Sequence, residues 1–207
     1  MPNQKYEITD IAHEQYPFLH RIRALRDVGE NVKAGDLGGF VESESNLSFE
    51  ARDEAWIFDD AIACGNSYVD KDSSLSENAV VCGNAYVSQG STLSGHARAE
   101  DDAYTRGAVM CDHARASAHS MILDSPDTGK GPVLSETCAV YGTVMGDVRV
   151  MGSAVMLGNE RIDNDTPDTL VINGQGRSVI RDPSRDELYS HRPIAQRDKA
   201  RRKEVER

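Results

Sequence analysis

A chain of 207 residues with 39% apolar and only 6% aromatic side chains cannot fill a broad globular core, and must bury what it has along a thin one. The net charge of −11 is unevenly spread: residues 181–207 hold nine Lys/Arg against six Asp/Glu, a net +3, so the first 180 carry −14. That balance argues against nucleic-acid binding by the main body, since phosphate neutralisation needs Lys and Arg, and it suits a basic protein partner.

The N-terminal stretch has no charged-then-apolar leader, and no run of about 18 apolar residues occurs anywhere. The expectation is a cytoplasmic protein without membrane contact, in the host cytoplasm if the chain is phage-encoded. "QKYEITD" and "FLHRIRALRDV" alternate as two strands, and Gly38-Gly39 is read as the turn that carries the chain into its first coil. Residues 1–48 are therefore expected to be a strand cap and leader.

From Ile57 onward an aliphatic or small residue recurs every six positions: Ile57, Ala63, Val69, Leu75, Val81, Val87, Leu93, Ala99 and Thr105. Two places before each stands Ala or Ser, and one further back usually Asn, Asp or Gly. Six residues are too few for a helix and a turn, and the Asn, Asp and Gly would break a helix. They suffice for a short strand and a corner. Three such sides close one coil of eighteen residues, and stacked coils share a continuous interior. The expected fold is an all-β solenoid, a three-sided parallel β-helix of five to seven coils over 49–163. The repeat slips by one residue near 104–108, and "MILDSPDTGKGPVLSET" (121–137) is read as an inserted loop. It resumes over 146–163. Residues 164–207 are expected to form a hairpin about Asn173-Gly174, then a helix and a basic helical tail.

Eighteen-residue coils turn sequence spacing into surface, because equivalent residues stack about 4.8 Å apart. One face presents Tyr68, Tyr86 and Tyr104, with Asp70, Ser88 and Arg106 beside them. A second presents Ile62, Val80 and Arg98, with Cys64, Cys82 and Glu100. A third presents Trp56, Ser74 and Thr92, with Phe58, Ser76 and Ser94. Tyr68, Tyr86, Tyr104, Ile62, Val80, Trp56 and Phe58 are thus the candidate interaction surface. They serve packing within the stack, a homo-oligomer contact, or a partner platform.

The spacing resembles the hexapeptide repeat of left-handed parallel β-helices, which implies that hand. "LHRIRALRDVGENVKAGDLGGFVESESNLS" (19–48), followed by "DEAWIFDDAIACGNSYV", resembles the leader of prophage-encoded and YdcK-like β-helix proteins. That resemblance covers residues 17–105 and implies a phage-associated binding or assembly protein, one role being to occupy a basic site on a host protein. The alternative is an acyltransferase of the hexapeptide type, using acetyl-CoA and a histidine general base. His96 and His113 fall at corners, which leaves His119 as the weak candidate for that base. No other cofactor is expected. The four cysteines show neither CxxC spacing nor clustering with histidine, and are read as free, buried thiols without a metal.

Overall fold

The computed structural model describes residues 2–182. It is a three-sided parallel solenoid with one sheet per side, of nine, eight and six strands. The expected helix and basic tail after residue 182 lie outside the described residues.

The interior is built by register. Ile57, Leu75, Leu93, Met110, Leu134, Val150 and Ile172 form one column, each paired with the next coil. Val69, Val87, Thr105, Ile122, Val144 and Ile162 form the second. Val41, Ala63, Val81, Ala99, Ala116, Val140 and Met156 form the third. The small residues of the repeat, Ala55, Ala61, Ser67, Ser73, Ala79, Ala85, Ser91, Ala97 and Ala103, are all buried. They stand where adjoining sides converge and a larger side chain would not fit.

The corners require left-handed backbone. Gly65, Gly83 and Gly95 supply it without a Cβ, but Asp59, Glu77, Asp101, Asp112 and Glu136 adopt it as well, with φ from 57° to 60° apart from Asp59 at 50°. Aspartate has a compensation. Asp59, Asp101 and Asp112 each accept, through a carboxylate oxygen, the N–H of the corner residue one coil on: Glu77, Ala118 and Glu136, all at 2.9 Å. Part of the acidity of the body thus belongs to the corner chemistry.

At the front, β1 (Tyr6–Ala12), β2 (His20–Ala24) and β3 (Leu37–Val41) form an antiparallel arm, and β3 joins the strand Ile62–Ala63 in parallel. Gly38 and Gly39 are not a turn, as the sequence suggested, but lie within β3. A Cβ on Gly39 would sit 2.4 Å from the Ala61 carbonyl oxygen and 2.5 Å from Ile57 Cγ2, so close approach of two backbones selects glycine. The arm also corrects Trp56. It is 2% exposed, with Tyr6 edge-on at 6.3 Å, and belongs to the core beneath the cap rather than to an outer face. Phe58 is half-buried and packs against the same core.

Two buried polar groups tie the cap to the first coil. Lys5 donates from Nζ to the Ser48 carbonyl (2.9 Å), and burial pulls its ammonium down to about 8. Asn46 donates to the carbonyls of Gly65 and Ser67 (both 3.0 Å) and accepts from the Ser43 N–H (2.9 Å).

The insertion is shorter than its sequence implied. Met121–Leu123 and Val133–Leu134 are coil strands, which leaves 124–132 as the loop. The coil step falls to 17 residues at Thr92↔Val109 and rises to 24 at Val109↔Val133, so corners absorb every length change while strands keep register. At the far end Thr169–Asn173 and Gly176–Ile180 make the expected antiparallel hairpin, with Gly174-Gln175 as its loop.

Replacing Gly39 by alanine forces β3 off the first coil. It is expected to lower stability by about 1–3 kcal/mol in urea denaturation.

Candidate functional site

The three tyrosines stack as predicted. Tyr68 pairs with Tyr86 and Tyr86 with Tyr104 in register, with ring centroids 5.9 and 5.1 Å apart and planes within 21° and 11°. The ring faces therefore meet each other, and only their edges point outward. Tyr86 donates its hydroxyl to Asp70 Oδ2 (2.8 Å) and accepts from Ser88 Oγ (3.2 Å). Both partners are buried, so Asp70 and Ser88 support the ladder from behind rather than flank it in solvent. Arg106 instead pairs with Asp124 at the root of the 124–132 loop. Tyr86, covered on both ring faces and anchored at its hydroxyl, serves packing and offers no open face on which a sugar or base would lie.

The second predicted face is more than an apolar strip. Phe40, Ile62, Val80, Arg98 and Arg115 succeed one another in register down it. The connection from β1 to β2 overhangs its upper end, leaving a groove of about 580 Å³ lined by His13, Tyr16, Arg21, Phe40, Asp60 and Ile62 among others. His13 shapes this overhang: its Nδ1 accepts from the N–H groups of Gln15 (3.1 Å) and Tyr16 (3.3 Å). In the neutral ring the proton then resides on Nε2. The same imidazole meets Phe40 edge-on at 4.7 Å. The Arg21 guanidinium lies 4.3 Å over the Phe40 ring, is bonded to the carbonyls of Gly38 and Asp59, and pairs with Asp60. Ile62 and Val80 are half-buried. Lower on the face, Arg98 and Arg115 both grip Glu100, whose side chain is 11% exposed.

Apart from Ile62, the groove residues do not stand out in the sequence. Their one signal is the aromatic "HEQYPF" segment (13–18), which a strand pattern alone reduces to a plain connection.

The histidines at 96, 113 and 119 are all at corners. His96 and His113 stack 4.9 Å apart with planes 5° from parallel, and both are exposed. His119, the candidate base, ends a corner ladder in which Asn66 donates to Asn84 (3.1 Å) and Asn84 to Asp102 (2.7 Å). Its Nδ1 lies 3.1 Å from Asp102 Oδ2, and its side chain is 86% exposed. The 17-residue step after the slip places it there, which an unbroken count of eighteen from Asp102 misses. Lys130 of the loop donates to Asp147 (2.8 Å) and to the Pro167 carbonyl (3.2 Å), so its ammonium fastens the insertion to the next coil.

All four cysteines are free, as expected, but Cys64, Cys82 and Cys111 are only half-buried and Cys138 alone is fully inside. Among the described residues no group of three or more His, Cys, Asp or Glu is arranged to hold a metal, and no helix is long and apolar enough to cross a membrane.

On the corner between the eight-stranded and nine-stranded sheets, carboxylates stand at Asp59, Asp60 and Glu77, give way to Gly95 and His96, and return at Asp112 and Glu136; all five are exposed, and Asp60 is paired with Arg21. One corner further round, the Ser117 hydroxyl and the Ala118 N–H hold the Asp101 carboxyl below the usual carboxylate range. No protein-family model matches this chain, and no curated protein matches it.

Replacing Tyr86 by phenylalanine keeps the stack but removes a hydrogen bond from Asp70, which is 8% exposed. The expected loss is about 1–2 kcal/mol in thermal or urea unfolding. The sedimentation coefficient should not change, because the ring edge is unaltered.

Proposed function

We propose that this chain is a binding protein rather than a catalyst, a rigid acidic prism that occupies a basic site on another protein. The observation that carries the reading is the carboxylate row from Asp59 to Glu136. It is set on corners whose backbone is fixed by hydrogen bonds from coil to coil. The carboxylates of Asp59 and Asp112, held this way, lose little conformational entropy on binding, so a basic partner meets charges already in place. Pairs of anions on adjacent coils, Asp59 with Glu77 and Asp112 with Glu136, present clustered negative charge to such a partner, which makes a nucleic-acid-binding site on a host protein the natural target. The leader resemblance fits this role, since a prophage product that blocks a host defence protein needs recognition and no chemistry. Self-association through the grooved face is the assembly form of the same reading.

For the acyltransferase alternative a general base must stand within reach of an acceptor and beside a cleft. His96, His113 and His119 are exposed corner residues, and the groove of about 580 Å³ has His13 in its wall instead. Acetyl-CoA is therefore expected to leave the melting temperature unchanged; a clear rise would favour the enzyme.

The direct test is capture from host lysate on immobilised protein at low and high salt, compared with a Glu77→Lys, Glu136→Lys double variant. These two positions leave the hydrogen bonds of Asp59 and Asp112 in place. A basic partner retained only at low salt, and bound about tenfold less well by the variant, is the expected result. Retention indifferent to both salt and charge reversal would overturn it.

A further inference from the structure

Cys64 and Cys82 occupy the same place in consecutive coils. The strand Ile62–Ala63 pairs in register with Val80–Val81, and each cysteine is the next residue. The ladder continues through them: the Cys64 N–H donates to the Val81 carbonyl and the Cys82 N–H to the Ala99 carbonyl, both at 3.0 Å, and beyond the cysteines Asn66 donates to Gly83 at 2.8 Å. Neighbouring strands lie about 4.8 Å apart, inside the Cα separation of roughly 4.4–6.8 Å that a disulfide spans. Both thiols are half-buried rather than enclosed.

The two thiols act on each other's ionisation: their proximity lowers Cys82 and raises Cys64, with burial opposing the first shift and adding to the second. Burial also raises Cys111, and it raises Cys138 to about 11. One member of the pair is thus suited to attack and the other to resolve, while the remaining two cysteines are inert by comparison.

We propose that Cys64 and Cys82 form an exchangeable dithiol that reacts with low-molecular-weight disulfides and closes a reversible staple between adjacent coils. The Cys82 thiolate attacks one sulfur of the small disulfide, breaks its S–S bond, and releases one thiolate, leaving a mixed disulfide on Cys82. Cys64 then gives up its proton to solvent and attacks the Cys82 sulfur. The Cys64–Cys82 bond forms as the second small thiolate leaves, so the protein loses two hydrogens and the reagent gains them as two thiols. Directly opposed positions have Cβ atoms further apart than the roughly 3.8 Å a relaxed disulfide prefers. The corner must tighten to close the bond, which keeps the bond easy to reduce. This chemistry is independent of the partner-binding reading.

The test uses the full chain and oxidised glutathione, with subsequent alkylation of remaining thiols and trypsin digestion. Cleavage at Arg52, Lys71 and Arg98 separates the two cysteines into peptides 53–71 and 72–98, so a staple appears as one linked species. The wild type is expected to give that linked pair, lost on treatment with dithiothreitol. The Cys64→Ser variant should accumulate glutathione on Cys82. The Cys82→Ser variant should accumulate it on Cys64. Circular dichroism of both variants checks that the solenoid is intact. Thiols that both remain open to alkylation in the folded wild type, or glutathione on each without a link, would overturn the proposal.

Discussion

Every coil of this molecule satisfies its backbone by bonding to the coils above and below, and that single constraint sets the rest. Strands of two or three residues, such as Val80–Val81 or Tyr104–Arg106, are far too short to stand alone. They persist because Val80 N–H finds Ala97 and Cys82 N–H finds Ala99 one rung away, and the same pattern repeats down all three sides. Register then becomes inflexible. Insertions and deletions go to corners, interior columns stay aliphatic, and outward residues are forced into stacks whether or not their chemistry favours it. The tyrosines settle into parallel rings, the arginines at 98 and 115 share a carboxylate, and two imidazoles lie flat on each other.

A stack of this kind has two ends, and the front one is covered in a way that also makes the molecule's groove. The arm strands continue the nine-stranded sheet in antiparallel fashion, so the edge is extended rather than blocked. The connection between β1 and β2 must then cross the outer face of the first coils, and the space beneath it becomes the groove. Arg21 links the two functions. Its guanidinium closes the arm onto Gly38 and Asp59, lies on Phe40, and neutralises Asp60. Cap stability and groove shape therefore rest on the same side chain.

The sequence exposes whatever is periodic and hides whatever is not. Three sides, the columns from Ile57 to Thr105, the tyrosine ladder and the hairpin are all legible, the first three by counting in sixes, because in-register stacking makes distance along the chain equivalent to height along the axis. Trp56 looks like a surface residue in that count because its cover, Tyr6, comes from the arm, fifty residues away and outside the repeat. Gly38 and Gly39 look like a turn because glycine marks both φ freedom and close approach, and only the positions of Ile57 and Ala61 distinguish the two. His119 loses its place in a column through one missing residue. The groove is illegible for the same reason as Trp56: His13 and Tyr16 meet Phe40 and Ile62 only after the arm has folded back.

The acidity of the body then acquires two causes that must be kept apart. At Asp59, Asp101 and Asp112 the carboxylate accepts an N–H from the next coil, and a neutral asparagine oxygen would serve nearly as well. Glu77 and Glu136 occupy equivalent left-handed corner positions, where glycine at 95 and 152 shows that the fold makes no demand for a side chain. A strained φ with an exposed charge is a poor choice for stability alone, since glycine relieves the strain and removes repulsion between stacked anions. Carboxylates at 77 and 136 are therefore charges that the corner geometry does not require.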